Sequence, residues 1–139
     1  MKIVLGGSVS FAKEELAVKE ELEKAGQSVY VSEDLLEYSE KPQIKMSFEE
    51  EVAISLKLDI LRKFFDKIAE ADAYLVCNYP KKGVDGYLGT SVLMEIGVAY
   101  HLKKKIYLMY DIDKNQNYAA EIAIIQPVIL GGDLSKVAN

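Results

Sequence analysis

The sequence predicts an α/β fold: a doubly wound, five-stranded parallel sheet of order 2-1-3-4-5 with helices on both faces, as in flavodoxin- and Rossmann-like proteins. Short apolar runs alternate with helical segments along the chain, which is typical of parallel strands joined by crossover helices. The first apolar run ends in Gly-Gly-Ser and leads into a helix, as βαβ units begin. The apolar runs show no polar alternation, which indicates strands covered on both faces.

Length and composition limit the classes of protein to consider. The 139 residues fit one domain, which we assign to residues 1–139. The net charge of -5 argues against a nucleic-acid partner, and no run approaches the ~18 apolar residues of a membrane span, so we expect no membrane partner. One cysteine, Cys77, and one histidine leave no internal disulfide and argue against a zinc site. We therefore expect a cytoplasmic protein without a metal.

The first third of the chain predicts a strand, a helix and a second strand. Their predicted bounds are 2–5, about 11–25 and 27–32. Ser8 or Ser10 can cap the helix, and Gly26 can end it. Its inner face is predicted to be apolar, formed by Leu16, Val18, Leu22 and Ala25. The acidic segment 33–46 has no firm period and is predicted to be a loop.

The middle of the chain predicts one long helix, about 47–69. Ser47 and Glu50 form a capping box at its start. Apolar residues then recur every four positions: Phe48, Val52, Leu56, Ile60, Phe64 and Ile68. A second set beside them widens the stripe. Because the face is wide for one helix, we expect it to cover the sheet and also a second subunit, making a homodimer or a higher homo-oligomer.

The last part of the chain predicts three more strands and two helices. The predicted strands are 73–77, 106–109 and 128–130. The predicted helices are the one that follows the glycine loop 83–89, with Thr90 or Ser91 as its cap, and 118–125. A last helical turn is predicted at 134–137.

One acid stands out in the helix after the glycine loop. Apolar residues surround Glu95 on nearly every side of the helix: Val92, Leu93, Met94, Ile96, Val98, Ala99 and Tyr100. An ionised carboxylate is rarely buried without a partner, because desolvating it is costly. A capping box would need Ser or Thr at position 92, which is Val92. Glu95 therefore has a distant partner or faces a cleft.

Polar and aromatic residues gather where the predicted strands end. Ligands of doubly wound sheets bind beyond the carboxyl ends of the strands, near the switch in strand order. The residues predicted to bind ligand there are Gly6, Gly7, Ser8, Asn78, Tyr79, Tyr87, Gly89, Thr90, Ser91 and Tyr110. Backbone N–H groups of 6–8 can hold an anion; the alternative is a tight turn that needs glycine. The dinucleotide glycine spacing is absent, and no cofactor is predicted.

These residues resemble a known family. The strand ending in Gly-Gly-Ser, the run Glu-Ala-Asp-Ala-Tyr-Leu-Val-Cys-Asn, and residues 95–99 followed by Lys-Ile-Tyr-Leu are similar to the nucleoside 2-deoxyribosyltransferase-like group, over most of the chain. Residues 94–99 carry the sharpest likeness. The resemblance implies that Glu95 attacks the anomeric carbon of a nucleoside or nucleotide. A covalent glycosyl-enzyme then forms, and water or another base takes the sugar.

The chain also departs from the family pattern. The family's transferases carry Asp six residues before the glutamate and Gly four before it, where this chain has Gly89 and Ser91. The acid expected after the third strand is Asn78. Asp85 is the remaining candidate for a second catalytic acid, provided that the loop folds back. The chain lies closer to the family's uncharacterised members than to its proven transferases.

Three functions follow from this pattern. The first is a nucleoside or nucleotide (deoxy)ribosyltransferase or N-glycosidase, because a carboxylate can trap or stabilise the oxocarbenium character of N-glycosidic cleavage. The alternative is a non-catalytic module that binds a nucleotide or nucleotide-sugar, which the missing second acid favours. The third is a scaffold that only dimerises through its long helix.

Overall fold

The computed structural model describes residues 1–40 and 45–138. Five parallel strands form one sheet in the order β2-β1-β3-β4-β5, which confirms the predicted fold class. The strands are β1 (Lys2–Gly6), β2 (Ser28–Tyr30), β3 (Ala73–Val76), β4 (Lys105–Leu108) and β5 (Val128–Ile129). The helices are α1 (Ala12–Lys24), α2 (Leu35–Glu40), α3 (Phe48–Leu58), α4 (Ile60–Glu70), α5 (Thr90–His101) and α6 (Ala119–Ile125). None of these helices has the length and apolarity needed to cross a bilayer.

The register of the sheet brings three strand ends to one edge. Gly6 of β1 lies opposite Val76 of β3, and Val76 lies opposite Leu108 of β4. Since β1 pairs with β2 on one side and with β3 on the other, the strand order reverses between β1 and β3. The residues after these three strands therefore lie around the position where such sheets bind ligands.

The core lies on both faces of the sheet. One face packs on α4 and α5 and includes Val4, Ile68, Tyr74, Val76, Val92, Ile96 and Leu108. The other face packs on α1 and includes Ile3, Leu5, Val18, Leu22, Leu75, Cys77 and Met109. Every residue of β3 is buried, as the absence of polar alternation predicts. Successive side chains of β1 and β3 thus pack alternately into the core on one face of the sheet and the core on the other.

The predicted helix over 47–69 is wrong as a single element. It begins as predicted, since the Ser47 hydroxyl accepts a hydrogen bond from the Glu50 amide. Asp59 then adopts a left-handed conformation (φ 50°, ψ 42°) that ends α3 and precedes α4, a geometry that a short polar side chain tolerates. Ile68 of α4 is buried against the sheet, whereas no residue of α3 is buried. Only the second half of the apolar stripe covers the sheet.

The prediction of a loop over 33–46 is also wrong in part. Residues Leu35–Glu40 form α2, and Leu35 is 4% exposed where this helix packs on α1. One buried leucine anchors a helix too short to show a period in the sequence. Positions 41–44 of the predicted loop lie outside the described residues. The last predicted turn is a 3₁₀ turn, Leu134–Lys136.

Candidate active site at the carboxyl end of the first strand

Glu95 is buried in the second turn of α5 and has a distant partner. Its side chain is 8% exposed, and the Tyr74 hydroxyl donates a 2.6 Å hydrogen bond to its Oε1. Burial raises the pKa of Glu95 to about 7, although the bond from Tyr74 lowers it. No lysine or arginine among the described residues forms an ion pair with it. Near neutral pH the carboxyl group therefore lies close to its titration midpoint.

Gly6 makes room for Tyr74. A Cβ at Gly6 would lie 2.0 Å from the Tyr74 hydroxyl oxygen and 2.6 Å from its ring. The Tyr74 side chain is fully buried, and its ring lies edge-on to Phe64 at 6.3 Å. Because neither ring can shift freely in a packed core, position 6 tolerates glycine alone. Gly6 thus sets the hydrogen bond on which the position of Glu95 depends.

Replacing Tyr74 by Phe is expected to raise the pKa of Glu95 above about 7, because the change removes the hydrogen bond that lowers it. Less Glu95 is then ionised at neutral pH. The measurement is the pH titration of the Glu95 carboxyl by ¹³C NMR. Tyr100→Phe, the same change on an exposed residue of α5, should leave that pKa unchanged. A pKa for Glu95 that is unaltered or lower in Tyr74→Phe contradicts this account.

Sequence reasoning missed a second buried acid, Glu15 of α1. Its side chain is 3% exposed, and its Oε2 is buried without a hydrogen-bond partner in the part of the chain that the structure describes. Burial, followed by the charges of Glu14 and Glu95, raises its pKa to about 8. The predicted inner face of this helix is wrong at Leu16 and Ala25: the buried residues are Ala12, Glu15, Val18 and Leu22. Their helical spacing was the available signal, but an acid among them was not expected.

Asn78 joins the ends of two strands. Its Nδ2 donates a 2.7 Å hydrogen bond to the Tyr110 carbonyl, and the Tyr110 amide donates a 3.0 Å bond to its Oδ1. The side chain is 1% exposed. Both halves of the amide are therefore engaged with backbone, where they hold the segment after β4 against the segment after β3.

The predicted tyrosines follow the ends of β3 and β4. We call Tyr79, Tyr87 and Tyr110, together with Lys81 and Lys82, the rim of the site. The Tyr79 ring stands edge-on to Phe11 at 5.3 Å and to Tyr110 at 5.8 Å. Burial raises the pKa of Tyr79, so its hydroxyl stays neutral. The ammonium groups of Lys81 and Lys82 lie 5.5 Å and 5.9 Å from the centre of the Tyr87 ring. The rim thus combines flat rings with positive charge.

A lysine links the loops after β1 and β3. The Lys81 ammonium donates a 2.6 Å hydrogen bond to the Ser8 hydroxyl, which also accepts a 3.3 Å bond from the Ser10 amide. Ser8 is therefore the cap of the 3₁₀ turn Val9–Phe11 that leads into α1. Ser8, which the sequence predicts to bind ligand, therefore contacts Lys81 in the structure.

The start of α5 differs from the prediction. Gly89 is the capping position, and no side chain caps the helix. Thr90 and Ser91, predicted as caps, lie in the first turn instead. The reason is that the Gly89 backbone is extended and already occupies the position before the first turn. The first turn of α5 consequently has no side-chain cap among the described residues, and the helix dipole adds positive potential there.

The second predicted acid is not brought to Glu95 by any contact. Asp85 is exposed in the turn after the bridge between Lys81 and Val84. Its carboxylate forms no ion pair with a residue in the described ranges. The next residue, Gly86, packs against the Asp111 carbonyl, which places this loop beside the segment after β4. A catalytic role for Asp85 stays a prediction.

Two cavities of the structure lie away from Glu95. A cavity of about 530 Å³ lies between α3 and α4, and one of about 790 Å³ lies at the opposite edge of the sheet around residues 100–107. Neither is lined by Glu95. The site offers a titratable carboxylate held by a tyrosine, a second buried acid and a positive, aromatic rim.

Fold and site together define a doubly wound α/β protein with an acidic site at its switch point. No model of a protein family matches the chain, and no curated protein matches it. Among solved structures, the chain is similar to the CMP N-glycosidase BcmB of Clostridium botulinum, with a TM-score of 0.50 and 18% sequence identity over 92% of this chain and 85% of that one. The two proteins share a fold.

Proposed function

We propose that this protein is a nucleoside or nucleotide N-glycosidase or (deoxy)ribosyltransferase of the nucleoside 2-deoxyribosyltransferase-like family, with Glu95 as the nucleophile. One observation carries the proposal. Glu95 is a buried carboxylate at the switch point of the sheet whose partner is the Tyr74 hydroxyl at 2.6 Å, without an ion pair among the described residues. A carboxylate that only stabilised the fold would be neutralised more readily by a cation.

The proposed reaction has two steps. In the first, a Glu95 carboxylate oxygen bonds to the anomeric carbon while the C–N bond breaks, and the base leaves with the electron pair and takes a proton. In the second, water or another base attacks the same carbon, releases Glu95 and gives up its proton. The Tyr74 hydroxyl holds one oxygen of Glu95 and leaves the other for the sugar. Asp85 is the proposed proton donor to the base.

Several features support a nucleotide as the substrate. The Tyr79 and Tyr110 rings offer flat surfaces for a base. Lys81, Lys82 and the uncapped start of α5 offer positive charge for a phosphate. The fold shared with a CMP N-glycosidase agrees with this choice. We therefore propose nucleoside 5′-monophosphates as better substrates than nucleosides.

The test is release of free base from a panel of ribo- and deoxyribonucleosides and their monophosphates, followed by chromatography. We expect release from at least one monophosphate, together with the sugar phosphate. Addition of a second base tests for transfer. If folded protein releases no base from any member of the panel, the proposed activity is wrong.

A binding module is the second candidate. Two observations favour it: Glu95 is only 8% exposed, and Asn78, in place of an acid after β3, is engaged with backbone. Such a module would bind nucleotides without turnover. Thermal shifts across the same panel distinguish the two functions, because in a module Glu95→Ala should keep the shift and parent protein should release no base.

We also propose that a second copy of this chain packs on α3 and α4. Phe48 and Leu56 are each 76% exposed on α3, an unusual exposure for large apolar side chains. They line the 530 Å³ groove between the two helices. α5 packs on α4 and carries the exposed Met94 directly before Glu95. A second copy seated there would lie beside the site.

Replacing Leu56 by Glu is expected to weaken this dimer by roughly 30-fold or more, the effect of losing about 2 kcal/mol at a central apolar contact. Sedimentation velocity across a concentration series measures it. Ala53→Glu adds the same charge on α3 at an exposed position outside the groove lining and should leave the dimer intact. A parent protein that sediments as a monomer at all concentrations would rule the dimer out.

A further inference from the structure

Two consecutive glycines at the end of β1 leave space for two side chains, the Tyr74 phenol that is bonded to Glu95 and the carboxyl of Glu15. On one side, the position of a Gly6 Cβ is taken by the Tyr74 hydroxyl, which is bonded to Glu95. On the other, a Gly7 Cβ would lie 3.0 Å from Glu15 Oε1. Because successive Cβ atoms point to opposite faces of a strand, the two spaces open to opposite faces of the sheet. α5 brings Glu95 from one face, and α1 brings Glu15 from the other.

The surroundings of Glu15 are acidic or neutral. The titratable groups that interact with it are Glu14 on its own helix, Glu95 on α5, Tyr74 on β3, and Cys77 and Tyr79 after β3. No described lysine or arginine forms an ion pair with Glu15. Its Oε2 is sealed from solvent without a hydrogen-bond partner. A carboxyl in such surroundings is far more stable protonated than ionised.

We propose that Glu15 and Glu95 form a coupled acid pair across the backbone of Gly6 and Gly7, in which Glu95 ionises first and Glu15 keeps its proton while Glu95 becomes charged. The negative charge on Glu95 is one of the causes that raise the pKa of Glu15. The charges of both acids also raise the pKa of Tyr74. The Tyr74 hydroxyl therefore lies within the field of both carboxyls.

Glu15 is a positioning residue here, since it acts through its interaction with Glu95. Ionising it would place a second buried charge behind Glu95 and oppose the ionised nucleophile. The catalytic consequence, a change in activity at about pH 8 that Glu15→Gln removes, rests on the proposed function and on the pKa of Glu15. The coupling itself does not rest on the proposed function, because it can be measured without substrate.

The experiment titrates ¹³C-labelled glutamate side chains by NMR from about pH 4 to about pH 10, a range that covers ordinary and raised carboxyl pKa values. Parent protein is compared with Glu95→Gln, Glu15→Gln and Glu21→Gln. The amide introduced by Glu95→Gln can still accept a hydrogen bond from Tyr74, so the fold should be kept. Glu21 is exposed on the same helix as Glu15 and serves as the matched control.

We expect Glu95→Gln to lower the pKa of Glu15, because it removes one of the charges that raise that pKa. Glu15→Gln should remove the upper of the two raised steps and keep the lower one, and Glu21→Gln should change neither. In parent protein the signal of each acid should move at both steps. The proposal is overturned if Glu15 titrates identically in parent and Glu95→Gln, or if each acid in parent protein responds to its own step alone.

These outcomes separate this inference from the proposed function. Coupled titration in a protein that releases no base would keep the acid pair and overturn the glycosidase. Base release with independent titrations would do the reverse. A purely structural Glu15 would change the stability of Glu15→Gln and leave its own pKa unaffected by Glu95→Gln, which also overturns the pair.

Discussion

If Glu95 is the nucleophile that we propose, Glu95→Gln is expected to lower the rate of base release by roughly 10³-fold or more, because the change removes the carboxylate oxygen proposed to bond to the sugar. The amide has nearly the same shape and can still accept the bond from Tyr74, so the core around it should be kept. Substrate binding should survive, since Glu95 contributes to the bond-making step. The measurement compares single-turnover release from the best nucleotide with the thermal shift that nucleotide produces.

The matched control is Glu121→Gln, the same substitution at an exposed position on α6. It should release base at the parent rate. If Glu95→Gln retains more than about a tenth of that rate while folded, a loss of only about 1.4 kcal/mol of transition-state stabilisation, then Glu95 is not the nucleophile. If it loses base release and nucleotide binding together, a structural role is the better explanation.

Gly6→Ala is expected to destabilise the protein by about 3 kcal/mol, the upper end of the usual cost of overpacking a core. The new Cβ would lie 2.0 Å from the Tyr74 hydroxyl oxygen, so the Tyr74 ring must move and its bond to Glu95 must break. That cost is large against the about 5–15 kcal/mol that stabilises a domain. Urea unfolding measures it, and we expect a fall in midpoint without a large change in slope.

Gly97→Ala is the control for this prediction. Gly97 lies in α5, two residues from Glu95, and a Cβ there would meet no atom within 4 Å outside its own helix backbone and chain neighbours. Alanine at a helical position favours the helix by about 0.5–1 kcal/mol over glycine. We therefore expect Gly97→Ala to unfold at slightly higher urea. Equal stability of Gly6→Ala and the parent would show that Tyr74 does not occupy the space beside Gly6.

The sheet was predictable because its signals are local. The apolar runs at 2–5, 73–77 and 106–109 carry little polar alternation, and the segments between them contain the helices. The break at Asp59 was not predictable, because the apolar repeat continues through it without a glycine or a proline. The repeat produces a wide apolar surface. Only the part of that surface on α4 is buried against the sheet.

The candidate site was predictable in part. Glu95 stood out because no cap and no polar face explained an acid at that position of α5. Its partner Tyr74 did not stand out, since it lies within an apolar strand, where a tyrosine is expected to be an ordinary core residue. Glu15 was hidden for a different reason: other charged residues surround it along α1, among them Lys13, Glu14 and Lys19, so one more charge is expected to be solvated. The burial of an acid is decided by which helix face meets the sheet, and that is a tertiary property.

Trapping the sugar on Glu95 tests directly whether Glu95 is the nucleophile. Fluorine at C2′ of a nucleotide slows both steps, because both transition states are cationic. A good leaving base restores the rate of the first step alone, so the glycosyl-enzyme accumulates. After incubation, intact-mass measurement and peptide mapping should place one fluorosugar phosphate on the peptide that contains Glu95, and none on the Glu95→Gln variant. Base release from this analogue with no adduct, or with the adduct on another residue, would contradict a glutamate nucleophile at position 95.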